Sequence, residues 1–320
     1  MELTKKTDYA TELGEELDQK HWRKLSAQHT DEALVATFRA ATGEAETRVG
    51  ALTGVSHADF RRLVFDRAKS MLIEQLKRDP ALRPDLRDQM AERLARVRLY
   101  TVAQYIDAMV AYDLKRGYSS PEPTLRANAY RRYMASCGRN GLSPNAFYDE
   151  ADGIPFVVAC AGLLLEPHDY GGSRQDVLDA AIFTIGHELG HAIDSSSYPQ
   201  AYSEMAGCFR TITGSTRVWD PGISDEISAD HWGATVLAEA LRTRPGGPPA
   251  PEEVAKVIAY ASNAMSDEWA DDSPHPPAVF RVNQAIARHP ALNQLLRCPD
   301  PGLPNPTCTL RGIAPEGWRH

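Results

Sequence analysis

Between Ser173 and Asp194, apolar side chains recur at spacings of three and four. Val177, Ala180, Thr184, His187 and His191 form one stripe, and Leu178, Ile182, Ile185 and Leu189 form a second. This period predicts a helix, and a helix that is apolar on two sides is buried. The first half of the chain repeats the helical period with polar outer faces. Phe60, Leu63, Val64, Ala68, Met71, Leu72 and Leu76 mark one amphipathic helix, broken by Pro80. Leu86, Met90, Leu94 and Val97 mark the next, which the pattern carries on toward Tyr112. Ile154–Ala159 is a short apolar run that reads as a strand, with the segment around Asn145 at or beside its edge. The predicted fold is therefore mainly helical with a small β-sheet, of the α+β class.

Composition narrows the function classes. The chain has 320 residues, enough for one large domain or two smaller ones with ample core. No apolar run approaches the length of a membrane span. The net charge of −8 argues against a nucleic-acid partner. Asp and Glu interleave with the Arg and Lys of the first-half helices, so these faces read as solvated surface. Met1–Lys6 holds no apolar stretch, so this chain carries no signal peptide: either a leader was removed or the protein is not exported. There is no internal repeat and no low-complexity segment.

The candidate chemistry centres on His187-Glu188-Leu189-Gly190-His191. On a helix, residues four apart share a face, so both imidazoles can reach one metal ion. Glu188 follows the first histidine and can take a proton from a water activated at that metal. Two histidines aimed at one point inside a core are costly without a ligand or partner. A second candidate segment is Ser224-Asp225-Glu226-Ile227-Ser228-Ala229-Asp230, set off by Pro221-Gly222. Ser224 reads as a helix N-cap, with Asp225 and Glu226 in the first turn where the helix dipole favours acids. Glu226 and Asp230, four apart, share a face. Taken alone, this pair reads more readily as a solvated acidic helix start than as a metal ligand and its partner.

The order of these motifs resembles the gluzincin zinc peptidases, and among them the catalytic part of the neprilysin and endothelin-converting-enzyme family. Asn145-Ala146-Phe147-Tyr148 is similar to the family's Asn-Ala-x-Tyr. Val157-Val158-Ala159-Cys160-Ala161-Gly162 is similar to its apolar strand ending in Ala-Gly. His187–His191, Glu226–Asp230 and His275-Pro276-Pro277-Ala278-Val279-Phe280-Arg281-Val282-Asn283 follow in family order, then a tail with Cys298 and Cys308. The resemblance covers roughly residues 140–310. It implies one Zn2+ per chain held by His187, His191 and Glu226, with Glu188 as general base. Asp230 would orient a ligand histidine, His275 would hydrogen-bond the oxyanion, and Arg281 would hold a substrate carbonyl. Asn145 and Ala146 would pair with the backbone of a peptide or protein substrate, as an added strand. The implied fold is a thermolysin-like catalytic half.

The chain departs from the family in places. Ile227-Ser228 and His231-Trp232-Gly233 differ from the family's residues around Glu226 and Asp230. His168-Asp169-Tyr170 stands where the family tends to carry aromatics, so side-chain preference does not transfer. Members of the family are more than twice this length. The expected organisation is an abbreviated helical lobe, residues 1–140, and a catalytic domain, residues 141–320, with a cleft less occluded than in full-length relatives. Among the five cysteines, the resemblance implies a Cys208–Cys308 disulfide. Cys137 would then pair with Cys298, leaving Cys160 as a buried thiol; five reduced thiols in a cytosolic protein are the alternative. The function implied is zinc endopeptidase, and the alternative is a peptide-binding scaffold that keeps zinc without turnover.

Overall fold

A computed structural model describes residues 4–23, 25, 30–80, 82–213, 220, 222–262, 276, 278–286, 289–297, 308–310 and 312–313. The fold is mostly helical with a three-stranded sheet, as the apolar periods predict. Among these residues two compact units form, and each is discontinuous in sequence. One joins residues 64–96 to those from 182 onward; the other joins residues up to 63 to 97–181. No helix among the described residues is long and apolar enough to cross a membrane.

The second unit carries the sheet. Its strands are β1 (Arg98–Tyr100), β2 (Ala146–Ala151) and β3 (Ile154–Ala159), in the order β1-β3-β2. β3 is central, and Phe156, Val157 and Val158 are all fully buried, which explains its unbroken apolar run. β2 runs antiparallel to it, with Ala146 opposite Ala159 and Ala151 opposite Ile154. The two-residue connection is Asp152-Gly153, both at positive φ, the primed turn that matches strand twist. β1 interrupts the helix that periodicity carries toward Tyr112. The Pro84–Arg96 helix stops, three residues pair parallel with β3, and Thr101 opens a new helix, Val102–Lys115. The break has local causes. Tyr100 stacks on Phe156 at 4.5 Å, and Thr101 and Gln104 exchange side-chain and backbone bonds as a capping box. Two further helices, Asp31–Thr53 and Glu122–Cys137, close the core, with Phe38 stacked on Tyr130.

The structure corrects one cysteine pairing. Cys137 is bonded to Cys160, their Cα atoms 5.3 Å apart, and Cys298 lies outside the described residues. The reason is the hairpin: Cys160 directly follows β3, and the chain leading into β2 turns back from Cys137. The Cys208–Cys308 disulfide forms as expected, across 100 residues of sequence in the first unit.

That first unit is helical apart from a short antiparallel pair, Cys308–Thr309 with Gly312–Ile313. Its longest helix, Ile223–Arg242, is buried along most of its length. Near its middle, the Thr235 hydroxyl donates to the His231 carbonyl at 2.8 Å. Thr235 therefore accepts from His289 Nε2, 3.1 Å away. Among the described residues, His289 Nδ1 is a buried lone pair without a hydrogen-bond partner. Burial, then the neighbouring His231 ring and Arg242, hold the His289 pKa well below the usual imidazole range. A base whose folded pKa is depressed contributes stability that is present above its unfolded pKa, about 6.5, and lost as pH falls below it. Denaturant midpoints should therefore fall between pH 7 and pH 5, and His289→Leu should flatten that fall. An unchanged slope in the variant would contradict the assignment.

Candidate functional site

Small residues bring the two motif helices together. The first helix spans Arg174–Gly190 and continues as a 3₁₀ turn, His191–Ile193. The sequence period predicts one helix to Asp194, so His191 sits on a tighter turn than expected. A Cβ on Gly190 would meet the Ala229 Cα at 2.9 Å, and one on Gly186 would meet the Gly233 Cα at 3.2 Å and Val236 at 2.1 Å. A Cβ on Gly233 would stand 3.0 Å from the Phe183 carbonyl oxygen. The backbones of Arg174–Gly190 and Ile223–Arg242 thus pack in near contact, and Glu226 and Asp230 arrive beside His187 and His191. Gly190→Ala must displace backbone rather than a flexible side chain. We expect about 1–3 kcal/mol of lost stability together with weakened metal binding, read by denaturant unfolding and metal titration. Wild-type values for both would contradict this packing.

The Glu226 helix begins two residues earlier than an N-cap at Ser224 would place it. Gly222, at φ 88°, precedes Ile223 as the cap, and Ser224 lies within the first turn. The sequence's Asp and Ser residues act instead as stitching. Asp225 Oδ1 accepts from Ser195 Oγ at 2.7 Å and from the Ser196 N–H at 2.8 Å, and Ser228 Oγ accepts from the Ser195 N–H at 3.2 Å. These bonds tie the turn after His191 to the helix of Glu226. Trp232 Nε1–H donates to Tyr202 Oη at 2.7 Å, and Tyr202 donates to the Ile193 carbonyl, a second tie at the same place.

Ligand atoms of His187, His191 and Glu226 all lie within 4.8 Å of one another. The two Nε2 atoms are 3.2 Å apart; Glu226 Oε2 is 3.3 Å from His187 Nε2, and Oε1 is 3.6 Å from His191 Nε2. Zinc bonds of about 2.0–2.1 Å set tetrahedral edges of about 3.3–3.4 Å, so this donor set fits a zinc-sized ion. His187 Nδ1 faces Asp230 Oδ1 at 3.0 Å, which leaves Nε2 as the lone pair toward the cluster. Asp230 is fully buried and is gripped by Arg281, Nε to Oδ2 at 2.8 Å and Nη2 to Oδ1 at 2.7 Å. Arg281 Nη2 also stands 3.7 Å from Glu226 Oε2. Glu188 is buried at 7% exposure and adds its charge to the field at Arg281.

The electrostatics favour a cation. Burial opposes a charge on His187, but its bond to Asp230 and the Glu226 carboxylate outweigh that, pushing the ring up to about 10. Burial likewise opposes ionisation of Asp230, and the Arg281 guanidinium overrides it, holding the carboxyl well below the usual range. The Nε2 side of His187 is thus a place where positive charge is stabilised.

Sequence reasoning missed Asp194. Its Oδ2 is 3.8 Å from His191 Nδ1, while Oδ1 accepts from the Ser197 N–H and Ser196 Oγ, both at 2.9 Å. Its position three residues after His191 was the available signal. Of the other sequence candidates, Asn145 and Ala146 belong to the sheet-bearing unit, Asn145 exposed and Ala146 buried at the start of β2. His275 lies outside the described residues.

No protein-family model and no curated protein matches this chain. Among solved structures, it is similar to PEPO from Lactobacillus rhamnosis HN001 (DR20), with a TM-score of 0.52 and 17% sequence identity. The match covers 84% of this chain and 48% of that one, so the chain spans about half the length of that structure. At this identity the likeness shows a shared fold, a distant structural relation.

Proposed function

We propose that this protein is a zinc-dependent endopeptidase acting on peptides or exposed protein segments. The observation that carries the reading is the convergence of His187, His191 and Glu226 on one point, with Glu188 next to His187 on the Arg174–Gly190 helix. The fold shared with PEPO is compatible with this reading. In this reading the three residues hold one Zn2+. When bound, zinc supplies Lewis acidity toward water and a peptide carbonyl at neutral pH. Glu188 takes the proton of the attacking water and returns it to the leaving amine. Asp230 keeps the proton on His187 Nδ1, and Asp194 faces His191. His275 donates to the oxyanion. Arg281 fixes Asp230 and turns its remaining N–H groups to a substrate carbonyl. Asn145 and Ala146 receive the substrate backbone as an added strand. The three metal-holding residues and Glu188 all lie in the unit of residues 64–96 and 182 onward, which this reading makes the catalytic one.

Metal removal tests the cofactor. Dialysis against a chelator should abolish peptide cleavage and lower the melting temperature, since a ligand bound only to the native state stabilises it. Zinc added back at one equivalent should restore both. Cleavage that survives complete metal removal would overturn the proposal.

A further inference from the structure

The Cys137–Cys160 disulfide brackets the segment that carries Asn145. Cys137 ends the Glu122–Cys137 helix, and its carbonyl accepts from the Ser143 N–H at 2.9 Å. Asn145 Nδ2 donates to the carbonyl of Ser136, the residue before Cys137, at 3.1 Å. From the other side, the Cys160 N–H donates to the Asn145 carbonyl at 3.0 Å, and the Gly162 N–H donates to the Gly141 carbonyl at 3.1 Å. The approach is so close that a Cβ on Gly162 would fall 1.9 Å from the Leu142 carbonyl oxygen. Residues 138–145 are therefore held from two directions, and the two holding elements are joined by the disulfide. Both cysteines are buried, at 0% and 2% exposure, so the bond is shielded from soluble thiols and is a fixed fastening rather than a switch.

The segment it fastens leads into an edge. β2 pairs with β3 on one side only, in the order β1-β3-β2, and no strand among the described residues lies on its other side. An edge accepts an added strand only if its own backbone is already extended and in register. If the edge were loose, ordering it would be charged against each binding event.

We propose that Cys137 and Cys160 are positioning residues for peptide binding: their disulfide presets the Asn145–Ala146 edge. This rests on the endopeptidase reading. It assigns the disulfide a specific consequence: substrate affinity depends on it, while the zinc chemistry in the other unit does not.

The test is the double variant Cys137→Ala/Cys160→Ala in the full-length, zinc-loaded protein. KM for a cleaved peptide should rise by about tenfold through the added ordering requirement, with kcat within about twofold and zinc at one per chain. Amide exchange at residues 143–148 should accelerate, while exchange at 183–190 stays at the wild-type rate. Gly162→Ala, which keeps the disulfide but collides with Leu142, should raise KM in the same direction, and it serves if the double variant does not fold. Unchanged KM and unchanged exchange at 143–148 would overturn the proposal, as would a kcat loss accompanied by zinc loss. If the wild type cleaves no peptide, the endopeptidase reading fails by itself. The exchange rates at 143–148 still decide whether the disulfide orders this edge.

Discussion

Glu188→Ala should lower peptide hydrolysis by about 10²–10⁴-fold, the contribution of a positioned general acid–base, with zinc still at one per chain. Glu188 lies between the two histidines in sequence but outside the cluster formed by His187, His191 and Glu226, so removing it leaves the donor set whole. Its carboxylate is buried and acts on Arg281, out of reach of bulk water that could replace its proton-transfer role. The loss should therefore appear in kcat rather than in KM or metal content. Glu188→Gln, which keeps the shape and removes the basicity, should lose nearly as much. A Glu188→Ala protein with wild-type kcat would remove Glu188 from the mechanism.

The second large effect is expected at Asp230. This carboxylate accepts two bonds from Arg281 and meets His187 Nδ1, and all three groups are out of water. Asp230→Ala leaves a buried guanidinium with Glu226, 3.7 Å away, and the Glu188 charge as its acidic surroundings. Removing one member of a buried ion pair costs about 3–5 kcal/mol, so denaturant unfolding should show a loss on that scale. His187 simultaneously loses the partner that fixes its tautomer. Zinc affinity should drop by about 10–100-fold, as for other carboxylates that orient a ligand histidine. Chelator competition reads that affinity. A variant that is destabilised but binds zinc as the wild type does would confine Asp230 to a structural role.

The fold was legible wherever a single period ran long enough to exceed local noise. The Arg174–Gly190 helix is apolar on two sides because it is buried, and the apolar run at 154–159 became the central strand for the same reason. β1 was not legible. Leu99 and Tyr100 continue a helical spacing, and three residues are too few to show a period of two; only pairing with β3 makes them a strand. Pairing of Cys137 with Cys160 depends on where the hairpin brings Cys160, a tertiary fact that sequence separation does not encode. At the candidate site, the spacing of His187, His191, Glu226 and Asp230 was readable because side chains four apart on a helix must share a face. What brings the two helices into register was not readable: Gly186, Gly190, Ala229 and Gly233 are small for a reason that exists only once the backbones meet. Asp194 stayed hidden because its interest comes from the turn that returns it toward His191. Arg281 was read as a substrate contact, and the structure shows its guanidinium engaged with Asp230.

The most direct test of the central claim is cleavage of a quenched peptide library by the zinc-loaded wild type, with the products mapped by mass spectrometry and zinc quantified in the same sample. The account predicts one zinc per chain and cuts at internal peptide bonds. Stoichiometric zinc with no cleavage anywhere in the library would contradict it and leave a zinc-holding peptide-binding protein.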